Sequence, residues 1–242
     1  AADSITIDPH KMGYIPYAAG GIVVKDRRIL DLISYLASYF YEKGEDTPTL
    51  LGSYILEGSK AGATAAAVWA SHRVVPLNIT GYGQIIGRSI EAAQMFTNGL
   101  KATKSIKLGS REFVVEPLMI NPDFNIVCMA FNEKGNTDLE KMNKLNEIIF
   151  QESSYVDGPV YMDNWITSQT SLSYVDYGDA PKSFVGRLGI PGKEWDRVKS
   201  VLVLRLCILN PFLSHYDHLD VTWKNYMEIM KGKIESAIKQ MK

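Results

Sequence analysis

The C-terminal region contains the pattern that most restricts what this chain can fold into. The run from Ser200 to Ile208 is the most apolar segment and predicts a buried strand. The stretch from Val221 to Met241 repeats large apolar residues at helical spacing, which predicts an amphipathic helix. Its apolar stripe consists of Trp223, Met227, Met230, Ile234, Ile238 and Met241. Together these two segments indicate a domain that combines a sheet with helices.

The residues before this pair mix strands and helices without a regular βαβ order. Residues 106–117 predict a hairpin that turns at Gly109 and Ser110, and residues 124–131 predict a strand. Residues 138–150 predict an amphipathic helix, whose stripe is Leu139, Met142, Leu145 and Ile149. We therefore predict an α+β domain over residues 105–242.

Residues 1–104 predict an α/β portion. Strands are expected at residues 5–7 and 19–24, and helices at residues 30–41, 62–75 and 85–100, with a polar loop at 43–48. The sequence opens directly on a strand, with no basic start and no apolar leader segment. We therefore expect the chain to begin in the middle of a fold.

Composition excludes several functional classes. The chain has 26 basic and 27 acidic residues and no long run of one sign, which argues against nucleic-acid binding. Charges or glycines interrupt its apolar stretches, so no membrane span is expected. Two isolated cysteines favour a reduced, cytoplasmic protein. The histidines at 72, 215 and 218 lack metal-ligand spacing, so we assign no metal, and residues 215–218 are expected to form a solvated loop.

A lysine lies directly after the first predicted strand, in the turn Asp8-Pro9-His10-Lys11. A lysine that forms a Schiff base needs a fixed position and a free amine, and burial or neighbouring positive charge lowers its pKa toward neutrality. The turn satisfies the first need, and His10 could contribute a hydrogen bond or charge near a phosphate. On spacing alone this signal is weak, and the pattern favours the simpler interpretation that Lys11 is a solvated loop lysine.

The residues around Lys11 extend this motif. The string from Thr6 to Tyr14 resembles the cofactor-lysine segment of group II pyridoxal-phosphate decarboxylases. The continuation from Met12 to Gly21 and the block from Leu51 to Ala66 resemble, more narrowly, the bacterial tyrosine decarboxylases. Shorter matches are Pro76–Asn78, Thr80–Gly83, Pro122–Asn125 and the group Tyr174, Asp176, Tyr177 and Gly178. The resemblance covers essentially the whole chain and is densest before residue 85.

The resemblance implies the type I pyridoxal-phosphate-dependent transferase fold. Residues 1–104 would be the C-terminal part of its large cofactor-binding domain, and residues 105–242 its small domain. The implied cofactor is pyridoxal 5'-phosphate, bound to Lys11, in a homodimer with sites at the subunit interface. The implied reaction is the carboxy-lyase step that converts an aromatic L-amino acid, tyrosine first, into tyramine and carbon dioxide.

The resemblance also implies roles for three residues of the first portion. His10 would lie near the cofactor phosphate, and Ser59, in a turn before a helix, would reach the cofactor of the partner subunit. The alternative for Ser59 is an ordinary helix N-cap. Tyr17 would line the substrate pocket and could protonate the substrate's α-carbon, although it could also be a packing tyrosine. Tyr39 and Tyr41 are rivals for that role, but we prefer to see them as the end of a helix.

The chain departs from its relatives near the C-terminus. Where they carry an Arg-Ala-Ser run whose serine approaches the substrate, this chain has Arg205-Leu206-Cys207. A thiol is a poorer hydrogen-bond partner for a phenol, which weakens strict tyrosine specificity and keeps glutamate or another amino acid as an alternative substrate. The apolar strand around Cys207 favours the simpler interpretation that it is a buried core residue.

Chemistry with this cofactor needs groups that the chain does not carry. In the family, the carboxylate that keeps the pyridinium nitrogen protonated lies before the lysine, and so does the group that stacks on the ring. We therefore expect this chain alone to be inactive, and a separate N-terminal segment to supply the rest. The remaining alternative is a split or degenerate fragment that folds without catalysis.

Overall fold

The structure of the protein, a computed structural model, describes residues 2–35, 51–154 and 165–241. The chain forms two compact units, Ala1–Gln84 and Ile85–Lys242. The predicted domain boundary after residue 104 lies further along the chain and stays a prediction. The predicted loop at 43–48 and the second half of the predicted helix at 30–41 lie outside the described residues.

The first unit opens with two antiparallel strands, β1 (Ser4–Ile7) and β2 (Gly21–Val24), paired from Ser4 with Val24 to Ile7 with Gly21. Both strands were predicted, although the second was expected to begin two residues earlier than it does. Helix α1 (Arg28–Ile33) follows, and then a short 3-10 helix, Leu51–Tyr54. The helix predicted from residue 30 was expected to continue through residue 35, but it ends at Ile33. Ser34 has an extended backbone there and its hydroxyl donates to the carbonyl of Asp31, which ends the helix.

Two longer helices complete the first unit and lead out of it. Helix α2 (Ala63–Val74) is rich in alanine, the best helix former, and Pro76 prevents its continuation. Helix α3 (Tyr82–Thr103) starts after a turn in which the side-chain oxygen of Asn78 accepts from the backbone N–H of Gly81, at 2.8 Å. Both helices were predicted, and α3 is longer than expected at each end.

The second unit is built on a five-stranded antiparallel sheet in the order β3-β4-β5-β7-β6. Its strands are β3 (Ser105–Leu108), β4 (Arg111–Pro117), β5 (Ile126–Glu133), β6 (Ser168–Ser173) and β7 (Ser200–Cys207). Its further helices are α4 (Leu139–Gln151), α5 (Tyr174–Tyr177), α6 (Lys182–Arg187), α7 (Gly192–Val198) and α8 (Tyr216–Gln240). The hairpin, the strands β5 and β7 and the helices α4 and α8 confirm the predicted pattern.

Two parts of the second unit differ from expectation. Strand β6 and helices α5 to α7 were not predicted, because they are short or polar and carry no clear periodicity. Helix α8 begins at Tyr216, five residues before the predicted start. The solvated loop expected at residues 215–218 is therefore wrong: His215 occupies the N-cap position and the next residues form the first turn.

The sheet of the second unit has a core on each face. Alternate residues of β5 separate the two cores: Val127, Met129 and Phe131 pack against α3 and α8, whereas Ala130 packs against α6 and α7. An aromatic group closes the first core, and its members are Phe96, Trp165, Trp223 and Tyr226. Gly99 on α3 allows this packing, since a Cβ there would lie 2.8 Å from the Trp223 ring. These contacts place α3 and α8 on one face of the sheet.

Helix α4 lies where strands β5 and β7 separate. The two strands pair only from Ile126 to Met129 on β5, so Phe131 has no partner on β7. The fully buried amide of Asn146 instead accepts from the N–H of Phe131 at 2.9 Å and donates to its carbonyl at 2.8 Å. Asn143 makes the equivalent pair of bonds with Ser200 and Leu202 of β7. Side-chain amides on α4 thus satisfy backbone groups that a neighbouring strand would otherwise pair.

Among the described residues, no helix has both the length and the apolar character needed to cross a membrane.

Candidate active site

The segment from Asp8 to Ile15 forms a compact turn directly after β1. The N–H of Lys11 donates to the carbonyl of Asp8 at 3.0 Å, and the N–H of Ile15 donates to that of Pro9 at 3.1 Å. Proline fixes its own backbone angle and suits the second position of such a turn. Gly13 is required for close approach, because a Cβ there would lie 2.5 Å from the carbonyl oxygen of Pro9. The turn therefore holds Lys11 in a fixed place at the end of the strand.

The side chain of Lys11 is exposed and folds back onto its own turn. Its Nζ lies 2.7 Å from Oδ2 of Asp8. The hydrogen bond and charge of Asp8 raise the pKa of Lys11, and the lysine in turn lowers the pKa of Asp8. Burial or neighbouring positive charge would lower the pKa of a lysine, but the dominant neighbour of Lys11 is a carboxylate, which acts in the opposite direction.

His10 and Tyr17 form a stacked pair beside this turn. Their rings lie 4.4 Å apart between centroids, with an angle of 29° between the planes. Nδ1 of His10 lies 2.5 Å from the carbonyl oxygen of Ala19, and because a carbonyl can only accept, Nδ1 carries the proton. This bond ties the turn to the chain before β2. Tyr17 is exposed and contacts His10 rather than an apolar core, which disfavours a purely packing role.

A buried tyrosine, Tyr82, holds the backbone of the turn through a hydrogen bond. The Tyr82 hydroxyl donates to the carbonyl of Gly13 at 2.8 Å and accepts from the Ser71 hydroxyl at 2.6 Å. His72 packs edge-on against the Tyr82 ring, 5.5 Å away between centroids. Helices α2 and α3 therefore fix the backbone just after Lys11. The sequence analysis assigned no such role to Tyr82, which lies 69 residues from Gly13.

An open groove of about 460 Å³ lies between the start of β2 and the first turns of α2. Ala18 to Ile22 form one wall, and the other includes Lys60, Gly62 and Thr64. Helix α2 has no side-chain N-cap and no acidic residue in its first turn. The N–H groups of its first turn, where Thr64 donates to the Ala61 carbonyl only at 3.4 Å, and Lys60 suit an anion such as a phosphate.

Ser59 lies in the turn that leads to this helix. It is exposed, and it follows Gly58, whose positive φ of 68° favours glycine. The N-cap of α2 is Gly62, so the alternative that Ser59 is the N-cap is wrong. The hydroxyl of Ser59 stands three residues before the helix, next to Lys60 at the groove.

Cys207 belongs to the second unit, at the end of β7. It is exposed, although its neighbours Leu206 and Ile208 are buried, so the expectation of a core cysteine is wrong. The reason is the alternation of the strand, which directs Cys207 to the same face as the exposed Arg205. The Asn125 amide lies 3.9 Å from its sulfur, and Cys207 also lines a cavity of about 260 Å³.

The structure therefore brings together three of the predicted site residues, His10, Lys11 and Tyr17, and adds Asp8 and Tyr82. Asp8 stood in the motif that identified Lys11, but its contact depends on the turn, since residues three apart meet only when the chain bends back. Tyr39 and Tyr41, the rivals of Tyr17, lie outside the described residues.

Two family models match the chain. Residues 1–120 match the pyridoxal-dependent decarboxylase conserved domain, which includes the Lys11 turn. Residues 92–238 match the family described as tyrosine decarboxylase, C-terminal, and the chain belongs to this family. The predicted resemblance is thus confirmed.

Individual relatives give the same result. The chain is 50% identical over 234 residues to an L-tyrosine decarboxylase of Enterococcus faecalis, which covers 97% of this chain and 37% of that protein. An L-aspartate decarboxylase of Thermococcus kodakarensis is 36% identical over 145 residues, which covers 58% of this chain and 31% of the relative. The match therefore spans little more than a third of the length of the tyrosine decarboxylase and slightly less than a third of the aspartate decarboxylase.

A solved structure supports the fold. The crystal structure of Oryza sativa TDC with PLP and tryptamine superposes with a TM-score of 0.56 at 14% identity, covering 96% of this chain and 39% of that chain. The expected α/β fold of pyridoxal-phosphate-dependent enzymes is confirmed.

Proposed function

We propose that the protein of which this chain forms part decarboxylates L-tyrosine to tyramine and carbon dioxide with pyridoxal 5'-phosphate. The observation that carries the proposal is the Lys11 amine, exposed in a rigid turn beside the His10–Tyr17 stack. This lysine occurs in a chain that is 50% identical in sequence to an L-tyrosine decarboxylase. The aspartate enzyme matches a shorter part at lower identity, which favours tyrosine over an acidic substrate.

The residues of the first unit fit this cofactor. Lys11 offers a primary amine, and the groove at the start of α2 offers N–H groups and a lysine to a phosphate. When bound, the cofactor supplies an aldehyde for the amine and a ring that accepts the electron pair left by departing carbon dioxide. Lys11 would anchor it, and the hydroxyl of Ser59 would donate to the phosphate of the cofactor in the partner subunit.

His10 and Tyr17 act next to the anchor. Because Nδ1 of His10 donates to the Ala19 carbonyl, Nε2 is the ring nitrogen left for the cofactor phosphate, to which it can donate only when the ring is an imidazolium. The exposed phenol of Tyr17 can carry a proton to the substrate's α-carbon after carbon dioxide leaves, because its stacking on His10 fixes the ring and leaves the hydroxyl accessible.

Cys207 tunes the substrate preference in this proposal. Its exposed thiol contacts the substrate where relatives have a hydroxyl, and its weaker hydrogen bonding reduces the preference for a phenol over an unsubstituted ring. A glutamate decarboxylase is the alternative, and it would require a basic residue for the distal carboxylate.

Further protein completes the site. Ile5 and Ile7 on β1 and Ile22 and Val23 on β2 are exposed, and because neighbouring residues of a strand point to opposite faces, both faces of β2 are uncovered. A two-stranded sheet is marginal by itself. We propose that an N-terminal segment, within a homodimer, covers this sheet and supplies the carboxylate for the pyridinium nitrogen. Two free cysteines suit a cytoplasmic location.

Activity assays test the substrate. The protein, expressed with the additional segment that its relatives carry, is assayed on tyrosine, phenylalanine, dopa and glutamate, and a Cys207→Ser variant is run beside it. We expect tyrosine to be the best substrate and the serine variant to favour it more strongly over phenylalanine. Faster turnover of glutamate than of tyrosine would contradict the proposal.

A further inference from the structure

Asp8 touches Lys11 through both its backbone and its side chain. The N–H of Lys11 donates to the Asp8 carbonyl at 3.0 Å, and Nζ lies 2.7 Å from the Asp8 carboxylate. The lysine side chain is therefore folded over its own turn, although it is 64% exposed and has solvent available around it. A proline between the two residues stiffens the turn that holds them in this contact.

This contact determines the protonation state of the amine. Asp8 raises the pKa of Lys11, and the other titratable neighbours are His10, which acts on Asp8, and Tyr17, which acts on Lys11 in the same direction as Asp8. A protonated amine cannot attack an aldehyde. The paired lysine is therefore held in place but chemically inactive.

We propose that Asp8 is a positioning residue that holds the Lys11 ammonium whenever the lysine is not bonded to the cofactor. This inference rests on the proposed function, since it concerns the same lysine. Asp8 would hold Lys11 at two stages: before the cofactor binds, and while an amino-acid substrate is bonded to the cofactor in place of Lys11.

The proton and bond changes balance at both moments. On loading, Nζ gives a proton to solvent, because the lowered pKa of Asp8 makes that carboxylate a poor acceptor, and a C–N bond forms with loss of one water. When a substrate displaces Lys11, the bond to Nζ breaks as the bond to the substrate nitrogen forms. In the balance of this exchange, the three N–H hydrogens of the substrate ammonium pass to Nζ, while the C=N double bond passes from Nζ to the substrate nitrogen. Lys11 is released as an ammonium, which returns to Asp8.

Site-resolved labelling tests the contact in the chain itself. Each lysine is acetylated with limiting reagent between about pH 7 and pH 11, around the ordinary lysine pKa, and quantified by mass spectrometry. Lys144 is the internal reference, because it pairs with Glu147 at the same spacing, 2.8 Å apart, with side chains 56% and 41% exposed, against 64% and 39% for Lys11 and Asp8. In Asp8→Asn, we expect Lys11 to react about two- to fivefold faster at neutral pH, with its profile moved to lower pH.

Three comparisons decide the outcome. Asp8→Glu should keep the parental Lys11 profile, and Glu147→Gln should change Lys144 without changing Lys11. An unmoved Lys11 profile in Asp8→Asn, or an Asp8→Glu profile like that of Asp8→Asn, would overturn the inference. Faster limited proteolysis within residues 1–84 in Asp8→Asn would reveal unfolding of the first unit, in which case Asp8→Glu alone, compared with the parent at Lys11, decides.

Cofactor trapping in the longer protein separates the two proposals. Borohydride reduction marks any lysine bonded to pyridoxal phosphate, and we expect Asp8→Asn to load Lys11 faster than the parent at neutral pH. Loading of Lys11 at parental rate in Asp8→Asn defeats the Asp8 inference alone. Absence of the mark on Lys11 in every variant defeats the proposed function, whatever the acetylation profile.

Discussion

Gly13 occupies a position in the Lys11 turn where any side chain would meet the backbone of Pro9. In Gly13→Ala, the new methyl would displace the Pro9 carbonyl and break its bond to Ile15, so we expect a loss of about 1–3 kcal/mol in the stability of this unit. Chemical denaturation measures the loss. Gly87→Ala is the control, because a Cβ there meets nothing within 4 Å and alanine favours a helix. Equal stability of the two variants would contradict this account of the turn.

Tyr82 supports the same turn through its hydroxyl. Tyr82→Phe keeps the buried ring but removes the bonds to Gly13 and Ser71, so we expect a loss of about 1 kcal/mol in unfolding free energy. Because the hydroxyls of Ser71 and Tyr82 share one network, the double variant Ser71→Ala/Tyr82→Phe should lose less than the sum of the two single losses. Strict additivity in urea denaturation would show that the two hydroxyls act separately.

Glu133 and Arg111 provide a pH-dependent test in the second unit. Both oxygens of Glu133 bind the guanidinium of Arg111, at 2.6 and 2.7 Å, and this holds the pKa of Glu133 below its ordinary value. A lowered carboxylate pKa stabilises the fold above the unfolded-state pKa, and this contribution is lost as pH falls through the folded-state pKa. Glu133→Gln should therefore reduce stability at neutral pH by roughly 1 kcal/mol or less.

The same reasoning fixes the low-pH behaviour of this variant. The difference in unfolding free energy between variant and parent should start to shrink near the ordinary glutamate pKa, at about pH 4. It should disappear at lower pH, once Glu133 is protonated in the folded parent as well. Denaturation curves across pH measure the difference. A constant gap between the two proteins down to acid pH would contradict the ion pair as its cause.

At the scale of elements, α4 shows what the sequence could and could not predict. Its apolar stripe, which includes Leu139, Met142 and Leu145, was predicted and is buried. Asn146 is equally buried, but an amide in a helix normally faces solvent, and the backbone groups it satisfies belong to β5, 15 residues away. Only the separation of β5 from β7 makes that amide necessary.

A substitution measures the contribution of this amide. Asn146→Leu preserves approximate volume but leaves both polar groups of Phe131 buried without a partner, so we expect a loss of about 2–4 kcal/mol. Thermal and urea denaturation report the loss. Asn98→Leu is the control, since Asn98 is exposed on α3 and its replacement should change stability by no more than about 0.5 kcal/mol. Similar losses in both variants would contradict the role assigned to Asn146.

The unpredicted elements share a physical cause. Strand β6, with the sequence Ser-Gln-Thr-Ser-Leu-Ser, is an edge strand with one buried apolar residue, Leu172. Helices α5 to α7 have four to seven residues each, too few for a helical period to repeat. Their structure depends on tertiary contacts, such as the buried Trp195 of α7, whose indole donates to Asp179.

At the scale of the whole molecule, the sequence led to the family and to the lysine because a long continuous string surrounds Lys11. It did not lead to the partners of that lysine. Asp8 contacts Lys11 only because the turn closes, and Tyr82 reaches Gly13 only because the first unit folds so that Tyr82 lies beside both the turn and Ser71. Spacing along the chain reveals neither contact, so the effect of Asp8 on the pKa of Lys11 could not be predicted from the sequence.

The exposed β1–β2 sheet is the surface that we propose is covered by further protein. Ile5, Ile7, Ile22 and Val23 lie uncovered, and the relatives extend well beyond the matched region. We therefore propose that Lys11 binds pyridoxal phosphate stably only when further protein surrounds this sheet.

Borohydride trapping can test directly whether Lys11 is the lysine that binds pyridoxal phosphate. The longer protein and the chain alone are each incubated with pyridoxal phosphate, reduced, digested and analysed by mass spectrometry, with Lys11→Arg as the matched control. We expect a reduced pyridoxyl group on Lys11 in the longer protein and little on Lys11 in the chain alone. In Lys11→Arg we expect no pyridoxyl group at position 11. A pyridoxyl group on a different lysine of an active protein, with Lys11 unmodified, would contradict this expectation.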